Sequence, residues 1–135
     1  MKNKLKLLVV PLITLILEIL PYGAVCNFAL QDSNGEIVIK KSLFSYFDLV
    51  PFGYANFGPL LCAFTTCFII FLLLINCLIN SKRLLQFIRS IVVICLLFSL
   101  MPLLYGLQYF SIVGILISCS LIIEFILIHR SLNNY

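Results

Sequence analysis

Hydrophobic residues fill the chain in four long stretches, 5–24, 55–79, 91–105 and 111–128, and polar residues gather in the short intervals between them. Each stretch is near the ~20 residues that carry a helix across ~30 Å of hydrocarbon. Phe68–Ile75 and Ile112–Ile117 are apolar all round apart from Gly114, so they lack the polar face that a helix in water keeps. The pattern predicts one all-α membrane domain, a four-transmembrane-helix antiparallel bundle. Its connections are an external loop at 25–54, a cytoplasmic loop at 80–90, an external turn at 106–110 and a cytoplasmic tail at 129–135.

The one long connection has strand and turn signals of its own. Asp32-Ser33-Asn34-Gly35 is a turn sequence, because Asn and Gly tolerate positive φ, and β-favouring runs flank it at Cys26–Leu30 and Ile37–Ile39. They predict a small external β-hairpin, which needs docking on helix ends because an isolated hairpin is marginally stable. Residues 44–54 read as an interfacial or partly re-entrant segment, with Pro51 and Gly53 opposing one unbroken helix. The second span starts near Asn56–Pro59, where Asn56 or Gly58 caps and Pro59 suits the first turn. Small and weakly polar residues recur on one stripe of each later span: Gly58, Cys62, Thr66 and Asn76; Cys95, Ser99, Pro102 and Gly106; Ser111, Gly114 and Ser118. Such stripes are where membrane helices approach one another. Pro102 is expected to kink the third helix near its outer end.

Charge orients the map. Lys2, Lys4 and Lys6 precede the first stretch, Lys82, Arg83 and Arg89 lie between the second and third, and His129 and Arg130 follow the fourth. Short cytoplasmic flanks are enriched in Lys and Arg, so both termini are expected in the cytoplasm of a multi-pass plasma-membrane protein. Tyr22, Tyr46, Tyr54, Tyr105 and Tyr109 fall at the opposite boundary, the level amphipathic rings prefer. The lysine-led first stretch also resembles a secretory signal. Val25 before Cys26, and Tyr22 two before Ala24, supply poor cleavage positions, so an uncleaved span is expected. With 63% hydrophobic and 10% charged residues and a mean hydropathy of +1.19, a water-soluble core is excluded. The net charge of +4 is spread over these flanks, which argues against nucleic acid.

Within the spans, Glu18 and Glu124 are the candidate functional acids, since an acid there faces a partner, a cavity or water. Glu18 shares a helical side with Pro11, Thr14 and Tyr22, and Arg89 is an expected partner for Glu124. Cys26 and Cys62 are the one cysteine pair near the external face. A disulfide there would staple the loop to the second span, and free thiols are equally consistent. The six cysteines and single histidine form no metal or redox motif, and no nucleophile–base pair or phosphate loop can be drawn. No cofactor is called for, and an enzyme is not expected. The candidate external interaction surface is aromatic: Tyr22, Phe28, Tyr46, Phe47, Phe52, Tyr54 and Phe57.

The strings Leu17-Glu18-Ile19-Leu20-Pro21-Tyr22-Gly23-Ala24-Val25 and Pro51-Phe52-Gly53-Tyr54-Ala55-Asn56-Phe57-Gly58-Pro59 resemble small four-span integral membrane proteins of Gram-positive, Clostridia-like bacteria. That resemblance implies the architecture and no activity. Glu18 looks like the first-helix acid of small multidrug exporters, from which the long first loop departs. The loop-and-spans plan is loosely similar to claudin-type proteins, without their tryptophan-containing loop signature. Two functions are therefore expected to compete. One is a non-enzymatic membrane protein with an interaction or lipid-facing accessory role through the external loop, its partner the bilayer, another membrane protein or a second copy. The other is a small ion- or proton-coupled transporter subunit using Glu18.

Overall fold

The computed structural model describes the backbone of residues 2–31 and 35–133, with side chains from Lys6 onward. Helix α1 (Lys2–Ile19) leads into strand β1 (Ala24–Gln31), which pairs with β2 (Ile37–Phe44). The short helix α2 (Leu49–Gly53) precedes three long helices, α3 (Gly58–Ile79), α4 (Lys82–Leu100) and α5 (Ile112–Asn133).

The long helices begin and end where local chemistry requires. Gly58-Pro59 opens α3, with the proline in the first turn, where its missing N–H costs nothing. Asn80 closes it in the left-handed conformation at φ 55°, which asparagine tolerates. The Ser81 side chain then accepts from the Leu84 N–H and starts α4, so only two residues turn the chain between antiparallel helices. At the far end Pro102 does not kink α4 but ends it, and residues 101–105 tighten into a 3-10 turn. Ser111 Oγ accepts from the Gly114 N–H at 2.9 Å, capping α5, and donates to the Gly23 carbonyl just before β1.

Helix α1 packs on α3 and α5, α3 on α4, and α4 on α5, so the contacts close on themselves. Thr14 meets Ser120 and Ser111 meets Gly23, which fixes α1 and α5 antiparallel at one offset and sets Val10 and Pro11 beside Glu124. Ile69, Leu73, Leu85, Ile88, Val92, Ile117, Leu121 and Ile128 fill the interior. Phe64, Phe71, Leu78, Leu97, Ile112 and Ile123 face outward and exposed, and so do Val9, Ile13, Ile16 and Ile19 on α1.

The hairpin is antiparallel, from Ala24 opposite Phe44 to Gln31 opposite Ile37. Its base is buried and its tip exposed, so it projects from one end of the helices. Gly35 adopts φ +83°, and the rest of the expected turn, at 32–34, lies outside the described residues.

Several boundaries differ from the sequence reading. Among the described residues three helices, not four, are long and apolar enough to cross a membrane: Gly58–Ile79, Lys82–Tyr105 and Ile112–Asn133. The first stretch, expected as a span at 5–24, stops being helical at Ile19, and its apolar end at Ala24–Val25 is the buried base of β1. Helix α1 also carries Lys2, Lys4, Lys6 and Glu18 within eighteen residues. The expected cytoplasmic loop at 80–90 is largely the first turns of α4. The chain is otherwise as expected in being mostly helical with a small β-hairpin, present as one two-stranded antiparallel sheet.

Helices α3 and α4 come close at Gly58, where an added Cβ would lie 2.6 Å from the Phe98 carbonyl oxygen and 2.8 Å from Met101 Cβ. Gly58→Ala must part α3 from α4, and a loss of about 1–3 kcal/mol is expected in detergent unfolding. An unchanged unfolding midpoint would show that the two helices do not meet there.

Candidate functional site

Several interior polar groups form a connected patch near the hairpin end of the helices. Glu18, in the last turn of α1, is fully buried. Its Oε1 accepts from Thr66 Oγ1 at 2.8 Å and from Cys62 Sγ at 3.4 Å, both on α3. Cys95 on α4 lies behind them, its Sγ 3.6 Å from Cys62 Sγ and 3.5 Å from Thr66 Oγ1. A single carboxyl therefore gathers three helices. The four residues reach one point because Cys62 and Thr66 are one turn apart on the buried stripe of α3. Oε2 of Glu18 has no hydrogen-bond partner among the described residues.

The patch continues toward α5. Tyr46, just past β2, is 1% exposed, and its N–H donates to the Glu18 carbonyl at 2.9 Å. Its phenol reaches Ser99, which is bonded to Ser118 at 2.6 Å. Burial, with Cys62 and Glu18 nearby, pushes the Tyr46 phenol above the usual tyrosine range and keeps it neutral. Ser118 donates in turn to the Gly114 carbonyl. Such bonds order neighbouring helices without requiring a ligand.

Glu124 stands apart from this patch. It is fully buried on α5, and neither oxygen has a hydrogen-bond partner among the described residues. The expected pairing with Arg89 is not formed, since Arg89 Nη1 meets His129 Nδ1 at 3.3 Å instead. The two acids are not brought together.

Of the two states left open for Cys26 and Cys62, a disulfide or free thiols, the structure has the free thiols. Cys26 lies in β1 opposite Ser42, while Cys62 faces Cys95. Burial pushes the Cys26 thiol up, which suppresses its reactive thiolate. Among the described residues no cluster of His, Cys, Asp or Glu is arranged to hold a metal ion.

The aromatic candidates divide between surface and interior. Tyr22 and Tyr54 are exposed, and Phe28 meets Tyr54 edge-on at 5.0 Å and Phe44 at 6.2 Å. Phe52 and Phe57 form a second edge-on pair at 4.9 Å. Tyr46 and Phe47 turn inward instead, Tyr46 because its ring closes over Gly23 and Phe47 because it packs on the core. Thr66 and Cys95 belong to the small-residue stripes of the sequence, which mark helix contacts without marking which contact holds the acid.

No family model, curated protein or solved structure matches the chain. The site must therefore be read from its own chemistry. Thr66→Val leaves Glu18 Oε1 with only the Cys62 thiol and should cost roughly 1 kcal/mol, the scale of interhelical hydrogen bonds in membranes. Glu18→Gln keeps a carbonyl acceptor and should hold the unfolding midpoint nearer wild type. Equal midpoints for Thr66→Val and wild type would mean that the bond contributes nothing.

Proposed function

We propose that the chain is a non-enzymatic, four-span membrane protein whose outward hairpin engages a partner at the membrane surface. The carrying observation is the hairpin tip: Ile37 is 76% exposed and Ile39 70%, with Leu30 and Val38 each half exposed on the opposite face. Apolar residues on both faces of a projecting two-stranded ribbon have no folding role in this chain. A surface of that kind marks an interaction site. Lys40 and Lys41 beside it favour an acidic partner surface or anionic headgroups. Two edge-on aromatic pairs and the Tyr46–Glu18 backbone bond brace the hairpin and its flanking segment.

The fourth span in this reading is α1. Its exposed Val9, Ile13, Ile16 and Ile19 form an apolar outer face. Its antiparallel offset with α5 carries Lys6 toward Ile128 and Arg130, the same end as Lys82, Arg83 and the Arg89–His129 contact. All cations but Lys40 and Lys41 then lie on one side, which supports cytoplasmic termini. The closed circuit of helix contacts supports a four-helix antiparallel bundle. A coupling role for Glu18 finds less support, because its side chain is enclosed by Thr66 and Cys62.

Alkaline phosphatase fused within the hairpin should be active in a bacterial host, and fusions at Asn80 or after Asn133 inactive. Activity at all three positions, or only at the last two, would overturn the four-span topology. The double change Ile37→Ser, Ile39→Ser alters only exposed side chains, so the unfolding midpoint should hold. Photocross-linking from position 38 should then lose its protein or lipid adduct by at least fivefold. An adduct yield unchanged by the double substitution would sink the hairpin role.

A further inference from the structure

The 3-10 turn at 107–109 ends at Phe110, which forms a single isolated bridge with Ala24 on the free edge of β1. That would-be third strand goes no further, and β1 residues 25–27 line an open pocket of about 190 Å³ with Tyr54, Asn56, Tyr105 and Tyr109. Asn56 is 6% exposed, and neither its side-chain oxygen nor its nitrogen has a hydrogen-bond partner among the described residues. A buried carboxamide offers two donors and an acceptor, and leaving all of them unused is uncommon in folded proteins. The chain next to it is held under strain. Ala55 sits at φ 63°, a region costly for a residue with a Cβ, and its carbonyl accepts from the Tyr105 hydroxyl at 2.8 Å. Asn56 or Gly58 was the expected cap of the second span, but α3 begins at Gly58 with Phe57 at its cap position. Asn56 is therefore free of the work that would explain it.

We infer that this pocket binds a short extended segment of a partner polypeptide, which adds to the free edge of β1 and pairs one backbone amide with the Asn56 carboxamide. Two features select a peptide over other ligands. A side-chain carboxamide presents the same donor–acceptor pair as a peptide group, so the two are complementary. An unpaired strand edge is the usual template for an added strand, with side-chain pockets supplying selectivity. Tyr105 and Tyr109, 6.2 Å apart edge to face, and the exposed Tyr54 provide apolar walls for one side chain. The volume is below the ~300–1,000 Å³ of pockets that enclose drug-sized ligands, which fits a site for one residue of a longer strand. The inference rests on the interaction role proposed above and places its contact at the hairpin base, apart from the tip.

The test uses the full chain in lipid nanodiscs, labelled with ¹⁵N-asparagine, and the pentapeptide acetyl-Thr-Val-Thr-Val-Thr-amide as probe. The side-chain amide resonances of Asn56 should shift and saturate. Affinity should fall tenfold or more in Asn56→Leu, and comparably in Tyr54→Ala, whose fold is verified by its unfolding midpoint. An analogue with esters in place of the Thr–Val amides should also bind at least fivefold more weakly. If Asn56→Leu does not fold, the Tyr54 variant and the ester analogue decide. Absence of saturation, or equal affinity for wild type, Tyr54→Ala and the ester analogue, overturns the inference. Saturation by N-acetylglucosamine or phosphocholine without the peptide overturns it too, assigning the pocket to a sugar or lipid headgroup. The Ile37→Ser, Ile39→Ser protein separates the two proposals: should the peptide fail while that variant still loses its cross-linked adduct, only the pocket assignment falls.

Discussion

Leucine, isoleucine and phenylalanine are as well solvated by lipid tails as by one another, so burial alone cannot tell one face of such a helix from the next. In helices as apolar as α3, α4 and α5, the choice rests on close approach at small residues and on hydrogen bonds between the few polar side chains. The structure concentrates those bonds: Glu18 with Thr66 and Cys62, Ser99 with Ser118, Thr14 with Ser120. Each joins two different helices, and together they tie every neighbouring pair except α3 and α4, which come close at Gly58.

The same constraint explains what the sequence made legible. The stripes of Gly, Ser, Thr and Cys pointed inward because nothing else distinguishes an inner face, and the buried residues of α3 follow the expected stripe at Gly58, Cys62, Thr66 and Asn76. The hairpin was legible from its β-favouring runs and its turn residues; β1 exceeds the expected run at both ends, and β2 starts where expected and runs on to Phe44. The first stretch misled because Gly23-Ala24-Val25 is as apolar as a helix end, and a buried strand base is written in the same residues. The start of α4 was hidden for the opposite reason. Lys82, Arg83 and Gln86 look like a loop, yet a helix continues through polar residues when its outer turns leave the apolar layer, and Ser81 supplies its cap.

The candidate site was only half legible. Both acids were visible as anomalies, but sequence spacing within one helix says nothing about which residue of another helix will face it. Thr66 could be placed on a stripe and not opposite Glu18, and Arg89 could be placed near Glu124 in depth and still pair with His129. Asn56 was offered as a cap, with Gly58 as the alternative, because asparagine is a favoured capping residue and Pro59 marks a helix start. Here the strained turn at Ala55 carries it inward, and no periodicity in the sequence encodes that turn.

Residue 18 is held twice, at its carbonyl by the Tyr46 N–H and at its carboxyl by α3. The segment that leaves the hairpin and the segment that enters the helices thus share a single fulcrum. Residue 18 thereby joins the ribbon to α3 and, by way of Cys62, to Cys95 of α4, while the Ser111–Gly23 bond joins the ribbon's base to α5. The hairpin is mechanically a handle on the helices, and whatever grips it also grips their packing.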